Sequence, residues 1–319
     1  MKSSPYSRRQ FIATCASAAA AAPLLSPAAL RAAEPATASP ASAPAKGPGA
    51  IHVFSKPFDG FSYTETAQLI AEAGFGGIDY TVRPGGQIRP ERVEEDLPKA
   101  VEAARAAGLR VDMISTEIVR ASDKHTRSVL ECAAKLGITV YRLGAIRYDP
   151  KTGVLKTLAQ WKPILRELAE LNQSLGIHGA IQNHSGNLRV GASLWDLFEL
   201  VRDLDPRWLG CQHDIRHATV IGAHAWPITL ELLHPWIRST DLKDFRWIQS
   251  PGKQVIENVP LGEGIVDFAA YFNRVRELKI GGPRSVHLEY PPFEHGPNVG
   301  PVEKRALFLA AMKKDAARN

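Results

Sequence analysis

The run Cys211-Gln212-His213-Asp214-Ile215-Arg216-His217 gathers a carboxylate, two imidazoles and a guanidinium behind an apolar approach, Arg207-Trp208-Leu209-Gly210. It reads as a strand that ends in a site. Three other short runs end the same way: Ala180 to His184 carries Gln182, Ser239 to Asp244 carries Asp241 and Lys243, and Ser285 to Glu289 carries His287. Side chains on a strand alternate, so Gln182 shares a face with His184, Gln212 with Asp214, Asp241 with Lys243, and Ser285 and His287 with Glu289. Gln182, Asp214, Asp241 and Glu289 can therefore converge. Three of the four are anionic, and in a low-dielectric mouth they repel one another unless a cation joins them. Oxygen-rich sets favour Mn²⁺, Mg²⁺ or Ca²⁺ over Zn²⁺, which makes Mn²⁺ or Mg²⁺ the expected ion and these four residues its expected ligands.

Chemistry on a bound substrate would need a base. Glu289, Glu117 at the end of a third strand, and His184 are the candidates. Lys243 could polarise a substrate oxygen or neutralise the carboxylates, with Asp244 as its salt-bridge partner or as a cap. Arg216 and His217 stand beside Asp214, where they could touch substrate. Arg83 and Arg142 could bind an anionic group, although surface ion pairing is the commoner fate of an arginine. Glu117 is equally readable as a solvated loop acid, and His213 has the wrong parity and reads as structural. Trp226, Trp236 and Trp247 could stack on a sugar ring or pack in the core.

The elements that must position these groups recur as a unit from Ile51 onward. An amphipathic helix runs into a hinge glycine and then an aliphatic strand, with hinges at Ala73-Gly74-Phe75, Ala107-Gly108-Leu109, Leu136-Gly137-Ile138 and Leu175-Gly176-Ile177. Glycine suits the hinge because a helix commonly ends on a left-handed residue. Before the fourth hinge, Leu158, Trp161, Leu165, Leu168, Leu171 and Leu175 form a stripe at helical spacing. Pro163 is expected to break or kink the first part of that helix.

Strands are expected at 52–55, 77–81, 110–114, 139–143, 178–183, 209–212, 237–242 and 285–289. Eight strands separated by helices predict an α/β fold, the closed parallel (β/α)8 TIM barrel, whose active site lies at the C-terminal ends of its strands. No G-x-G-x-x-G loop follows the first strand, as a doubly wound nucleotide-binding sheet would want. Residues 245–267 have no helical pattern and are expected to be a long loop at the catalytic face.

The barrel occupies 50–319. Ahead of it, Ser7-Arg8-Arg9-Gln10-Phe11-Ile12 is a twin-arginine pattern before an alanine-rich apolar run, so 1–33 reads as a bacterial Tat signal and 34–49 as a Pro/Ala-rich linker. Pro23 interrupts a run already too short to anchor the chain in a membrane. The signal carries Lys2, Arg8, Arg9 and Arg31 and no acid, so its loss lowers the net charge from +6 to +2. No nucleic-acid footprint remains. Outside the signal only Cys132 and Cys211 are left, far short of a disulfide framework.

With these residues in view, the chain resembles the xylose isomerase-like TIM barrels, the sugar isomerase/epimerase superfamily, from Ile51 to its C-terminus. The runs Phe54-Ser55-Lys56, Thr81 to Gly86, Gln182 to Gly186 and Asp214 to His217 resemble an exported bacterial subgroup of it. The resemblance implies that Asp214 and Glu289 ligate a metal and that His217 contacts substrate. At two positions the chain departs from the family pattern. Gln182 stands where a Glu is usual at strand five, and Asp241 stands where a His is usual at strand seven. An amide cannot act as a base, so the two-glutamate epimerisation of the family loses one of its partners, while Gln182 can still bind through its oxygen.

The expected activity is metal-assisted proton abstraction next to the carbonyl of a small sugar or keto-sugar, with isomerisation or epimerisation as its outcome. β-Elimination from an oxidised glycoside shares the first step and is the main alternative, and a non-catalytic sugar-binding barrel is a third. A metal-dependent nuclease would want more histidine ligands and a basic groove. Export is separately testable, because a twin-arginine pair is read by its receptor and not merely as charge. Replacing Arg8 and Arg9 together by lysine is expected to strand the precursor in the cytoplasm, measured by fractionation; undiminished periplasmic yield would refute the signal.

Overall fold

A computed structural model of the chain describes residues 50–318. The export signal and linker expected at 1–49 lie outside the described residues. Eight parallel strands form a closed barrel: β1 (Ile51–Phe54), β2 (Gly77–Val82), β3 (Met113–Thr116), β4 (Val140–Arg142), β5 (His178–Gln182), β6 (Leu209–Asp214), β7 (Ile237–Leu242) and β10 (Arg284–Val286), the last pairing back onto β1. Between β7 and β10 lies an antiparallel pair, β8 (Asp244–Ser250) and β9 (Lys253–Val259). The main helices are α1 (Tyr63–Glu72), α2 (Val93–Ala106), α3 (Thr126–Lys135), α4 (Val154–Leu175), α5 (Trp195–Val201), α6 (Ile215–Gly222), α7 (Trp226–Leu233), α8 (Phe268–Glu277) and α9 (Pro301–Ala316). Among the described residues, no helix is long and apolar enough to cross a membrane.

Local sequence explains where the helices start and stop. Helix α1 opens on a capping box: Ser62 Oγ accepts from the Glu65 N–H at 3.2 Å, and Glu65 Oε2 accepts from the Ser62 N–H at 2.8 Å. Two otherwise unpaired donors are thereby satisfied. Thr66, Ala67, Leu69 and Ile70 form its buried face, and full burial of each large aliphatic side chain is worth roughly 1.5–3 kcal/mol. At the helix ends the repeat hinge has its physical basis. Gly74 and Gly176 adopt φ of +94° and +67°, and Gly108 and Gly137 are likewise left-handed. Only glycine enters that region without a Cβ clash.

Pro163 does not break α4, which runs through all 22 residues. Both Pro163 and Ala159, whose carbonyl loses its usual donor, lie on the exposed side. Water can take that carbonyl, so the missing bond costs little there.

The expected loop at 245–267 is instead mostly the hairpin β8–β9, in full register from Asp244↔Val259 to Ser250↔Lys253. Only Asp244, Phe245 and Val259 of the hairpin are buried, so no apolar alternation marks it in the sequence. Asp244, expected to pair with Lys243 or to cap, serves backbone donors. Its buried carboxylate accepts from the N–H groups of Phe245 (2.8 Å), Gly262 (2.9 Å), Gly264 (2.9 Å) and Val266 (3.1 Å). That clamp returns the chain from the hairpin to the barrel, and a Cβ at Gly264 would collide with it.

Strand registers set the mouth. Gln182 is level with Gln212, Asp214 with Asp241, and Asp241 with Ser285. A shift in pairing at Cys211/Gln212 sets Asp214, the last residue of β6, level with Asp241, the next-to-last of β7. Below them, Met113, Val140 and Ala180 plug the barrel as a small apolar cluster of their own, separate from the larger core between barrel and helices. Cys132 and Cys211 are both buried free thiols.

Asp244→Ala would leave several buried N–H groups unpaired, each costing about 1–3 kcal/mol. The variant is expected to lose about 3 kcal/mol or more in denaturant unfolding, with Asp244→Asn intermediate; wild-type stability in Asp244→Ala would refute the clamp.

Candidate active site

The C-terminal ends of the strands enclose a cavity of about 350 Å³. Its floor is a network of buried charge. Lys243, the residue after β7, places Nζ 3.1 Å from Asp214 Oδ2 and 3.4 Å from Glu289 Oε2, and donates to His217 Nε2 at 3.1 Å. Burial works against its charge, but Asp214, Glu289 and Asp241 together outweigh that and raise its pKa. Glu289 shows the reverse balance. Burial alone would raise its pKa, and Lys243 and His287 hold it well below the usual carboxylate range. It is a committed anion.

Asp241, at the end of β7, is fully buried. It accepts from Gln212 Nε2, and from Gln182 Nε2 at 2.6 Å, and His287 Nε2 lies 3.2 Å away. His287 is equally buried, yet the pull of Asp241 overcomes that burial and raises its pKa. Phe54 of β1 stacks on the His287 ring with centroids 4.3 Å apart.

Gln182 reveals how its amide is turned. Arg142 Nη1 donates to its Oε1 at 3.3 Å, so its NH₂ faces the carboxylates of Asp214 (3.0 Å) and Asp241 (2.6 Å). The reverse orientation would set the amide oxygen against two anions and the NH₂ against a guanidinium.

Two histidines stack above this floor, His184 on His217, with centroids 3.8 Å apart. Burial pushes His184 down to about 4, and burial with Lys243 beside it takes His217 well below the ordinary value. Both rings are neutral near pH 7. His217 Nδ1 lies 2.8 Å from Ser185 Oγ and 2.9 Å from Arg216 Nη1, which can only donate, while Lys243 Nζ adjoins its Nε2.

The remaining expected residues divide between the cavity and its surroundings. Arg83 and Arg142 line it, both lying over the Phe54 ring, and Arg83 pairs with Glu117 at 3.3 Å. The Glu117 side chain, half exposed at 51 %, sits at the rim. Arg216 donates through Nη2 to Asn258 of β9 at 2.6 Å and through Nη1 to His217 Nδ1 at 2.9 Å, with its guanidinium over Phe245. It therefore ties the hairpin to the start of α6. His213 points out of the barrel to Tyr271. Of the tryptophans, Trp226 is buried against Tyr271, Trp236 bonds the Leu204 carbonyl ahead of β7, and Trp247 is exposed on the hairpin.

Phe54, Asp79, Arg147 and Arg189 were not singled out from the sequence. Asp79 lies wholly buried inside the barrel and accepts from Ser115 Oγ (3.0 Å) and Ser285 Oγ (2.9 Å); burial raises its pKa. Its signal was a carboxylate inside the apolar strand Gly77-Ile78-Asp79-Tyr80. The two arginines gave none, because they sit in loops that pair only in the folded chain.

A divalent cation at this floor would need converging lone pairs. Asp214, Glu289 and His217 do converge, but on the Lys243 ammonium, and Gln182 presents hydrogens to Asp214 and Asp241. Among the described residues, no three His, Cys, Asp or Glu side chains form a group that could hold a metal. As arranged here, these side chains are satisfied by the Lys243 ammonium and by amide hydrogens.

Comparison with known proteins places the chain in a family. No protein of curated function matches the chain in sequence. Among solved structures, a probable 3-DHS dehydratase from Bacillus anthracis is similar, with 20% identity, 84% of this chain and 99% of that one covered and a TM-score of 0.61. A 3-keto-D-glucoside 4-epimerase from E. coli gives 16% identity, 83% and 98% coverage and a TM-score of 0.58. A magnesium-bound xylose isomerase-like TIM barrel protein from Mycobacterium smegmatis gives 16%, 84% and 97%, and 0.57. At such identities the likeness is one of fold. The sequence profile of the xylose isomerase-like TIM barrel family matches residues 67–312, most of the barrel from before β2 into α9, and the chain belongs to that family.

Proposed function

We propose that the chain is an exported enzyme that abstracts a proton next to the carbonyl of a sugar or keto-sugar, with Glu289 as the base. The observation that carries this reading is the Glu289–Lys243 pair at the cavity floor. A carboxylate held ionised stands beside an ammonium held protonated, 3.4 Å away. A carbon acid needs that combination: a base for the C–H proton and fixed positive charge for the oxygen on which negative charge develops. Glu289 takes the proton as the carbonyl becomes an enediolate, and Lys243 donates a hydrogen bond to that oxygen. Returning the proton to a neighbouring carbon or face gives an isomer. Expelling a β-substituent instead gives elimination.

Gln182 favours the second outcome. It occupies the strand-five position from which a second base would act on the opposite face of the sugar, and its amide cannot carry the proton. Among relatives of the same fold, one is named an epimerase and another a probable dehydratase, so both outcomes have precedents on this barrel. Mn²⁺ or Mg²⁺, the ion expected from the four oxygen donors, has the magnesium-bound relative in its favour. In this chain Lys243 takes the place such an ion would fill, and the steps proposed above use none.

The test is solvent deuterium incorporation by NMR, with product masses, on a panel of free sugars, keto-sugars and 3-keto-glucosides. Elimination splits the molecule; isomerisation keeps its mass. Glu289→Gln is expected to lower exchange by about 10³-fold and Lys243→Met by about 10²-fold, in line with loss of a general base and of one oxyanion donor. With Glu289 ionised well into the acid range, wild-type exchange should hold its rate as pH falls towards 5. Exchange should also survive chelation, with little divalent metal by elemental analysis. Undiminished exchange in Glu289→Gln would move the base to His184 or Glu117, stoichiometric metal would displace Lys243 from its role, and no exchange on any substrate would favour the sugar-binding barrel.

A further inference from the structure

Six cationic side chains line the cavity (Lys56, Arg83, Arg142, Arg147, Arg189 and Lys243) against two anionic ones, Glu117 and Glu289. Three of the six have carboxylate partners: Lys56 pairs with Glu294, Arg83 with Glu117 and Lys243 with Glu289 and Asp214. Among the described residues, no carboxylate forms an ion pair with Arg142, Arg147 or Arg189. Arg142 is only 8 % exposed, and its one polar side-chain partner is the neutral Gln182.

The backbone holds the other two together. Residues 147 and 189 form an isolated antiparallel bridge between the loops that follow β4 and β5. The Tyr148 N–H bonds to the Leu188 carbonyl at 2.9 Å and the Val190 N–H to the Ile146 carbonyl at 3.1 Å on either side of it. Two loops from neighbouring strands are thus zipped with an arginine facing an arginine. Burial lowers the Arg189 pKa, and repulsion from Arg147 and Arg142 lowers it further, against a weaker pull from Glu117.

Arg142 is buried within the field of Asp79, Arg189 is half-buried and Arg147 exposed, so the wall runs from the interior to solvent, and a ligand that brings the opposite charge would balance its like charges. Guanidinium groups suit carboxylate and phosphate oxygens, which they can grip by paired N–H donors. A cavity of about 350 Å³ lies at the small end of ligand sites, room for one substituted sugar ring and not for an oligosaccharide.

We propose that the substrate carries an anionic group, a carboxylate or a phosphate, which docks on Arg142, Arg147 and Arg189 while its reacting carbon faces Glu289. This rests on the carbohydrate reading above and narrows it from neutral sugars to acidic ones. The zipped loops supply specificity apart from the chemistry, since Arg147 and Arg189 belong to the wall and Glu289 and Lys243 to the floor.

Calorimetric titration with D-glucose, D-glucuronate and D-glucose 6-phosphate tests it, on the wild type and on the double variant R147Q/R189Q. At least one acid is expected to bind about ten-fold or more tighter than glucose, as charge-assisted contacts predict. The double variant should lose most of that preference at an unchanged melting temperature. Stronger binding of glucuronate assigns a carboxylate, and stronger binding of the 6-phosphate a phosphate. If neither acid outbinds glucose, or R147Q/R189Q keeps the preference, the proposal is overturned. The two readings fail separately: acid preference without deuterium exchange removes the reaction alone, and exchange on neutral sugars without acid preference removes the anion site alone.

Discussion

The mouth of this barrel is governed by the problem of three converging carboxylates. Asp214 and Asp241 stand wholly buried at the ends of β6 and β7, and Glu289 is partly accessible three residues beyond β10; as anions in a low-dielectric site they would drive these segments apart. Lys243 and His287 solve this from within the chain. One ammonium is shared by Asp214 and Glu289, and one imidazole stands between Asp241 and Glu289 at 3.2 and 3.6 Å. Gln182 and Gln212 add amide hydrogens where charge is not needed. Much of the remaining site serves this network: His217 stays neutral because it is buried beside Lys243, and Arg216 holds the start of α6 to the hairpin.

The same network sets what the site can do. Glu289 is ionised and partly accessible, which suits it to the proposed role of base, and Lys243 is charged and buried, which suits it to the proposed stabilisation of the oxygen. Neither His184 nor His217 is protonated near neutrality, and neither competes for the proton. The amide at position 182 makes the site one-sided. Where a symmetric pair of carboxylates would pass a proton across a sugar, this chain has a base on one wall and, on the other, a hydrogen-bonding group without acid–base capacity. Above them the Arg142, Arg147 and Arg189 wall gives the cavity a polarity that the small net charge of residues 34–319 hides.

Fold and mouth were largely legible in the residues. Helical stripes, hinge glycines and aliphatic runs repeat with a period that only alternating helices and parallel strands satisfy, and parity alone put Gln182, Asp214, Asp241 and Glu289 on one face. These are local properties: a glycine hinge depends on φ, and the face of a strand residue on the pleat. Strand boundaries were less legible. The third strand lies at Met113–Thr116, three residues beyond its expected start, because where a barrel strand begins is decided by pairing with neighbours and not by its own composition.

What only the tertiary structure decided is which partner each polar group takes. The residues alone could not say that Lys243 would turn into the carboxylates and occupy the place expected for a metal. Nor could they say that the Gln182 amide would face inward by its hydrogens, since that depends on Arg142 arriving from another strand. Residues 245–267 became a hairpin through cross-strand pairing and the Asp244 clamp, both invisible to helical periodicity. Arg147 and Arg189 lie 42 positions apart in loops without a pattern; a backbone bridge makes them neighbours. Electrostatic partnership is a property of distance in space, and sequence carries it only where regular geometry converts spacing into distance.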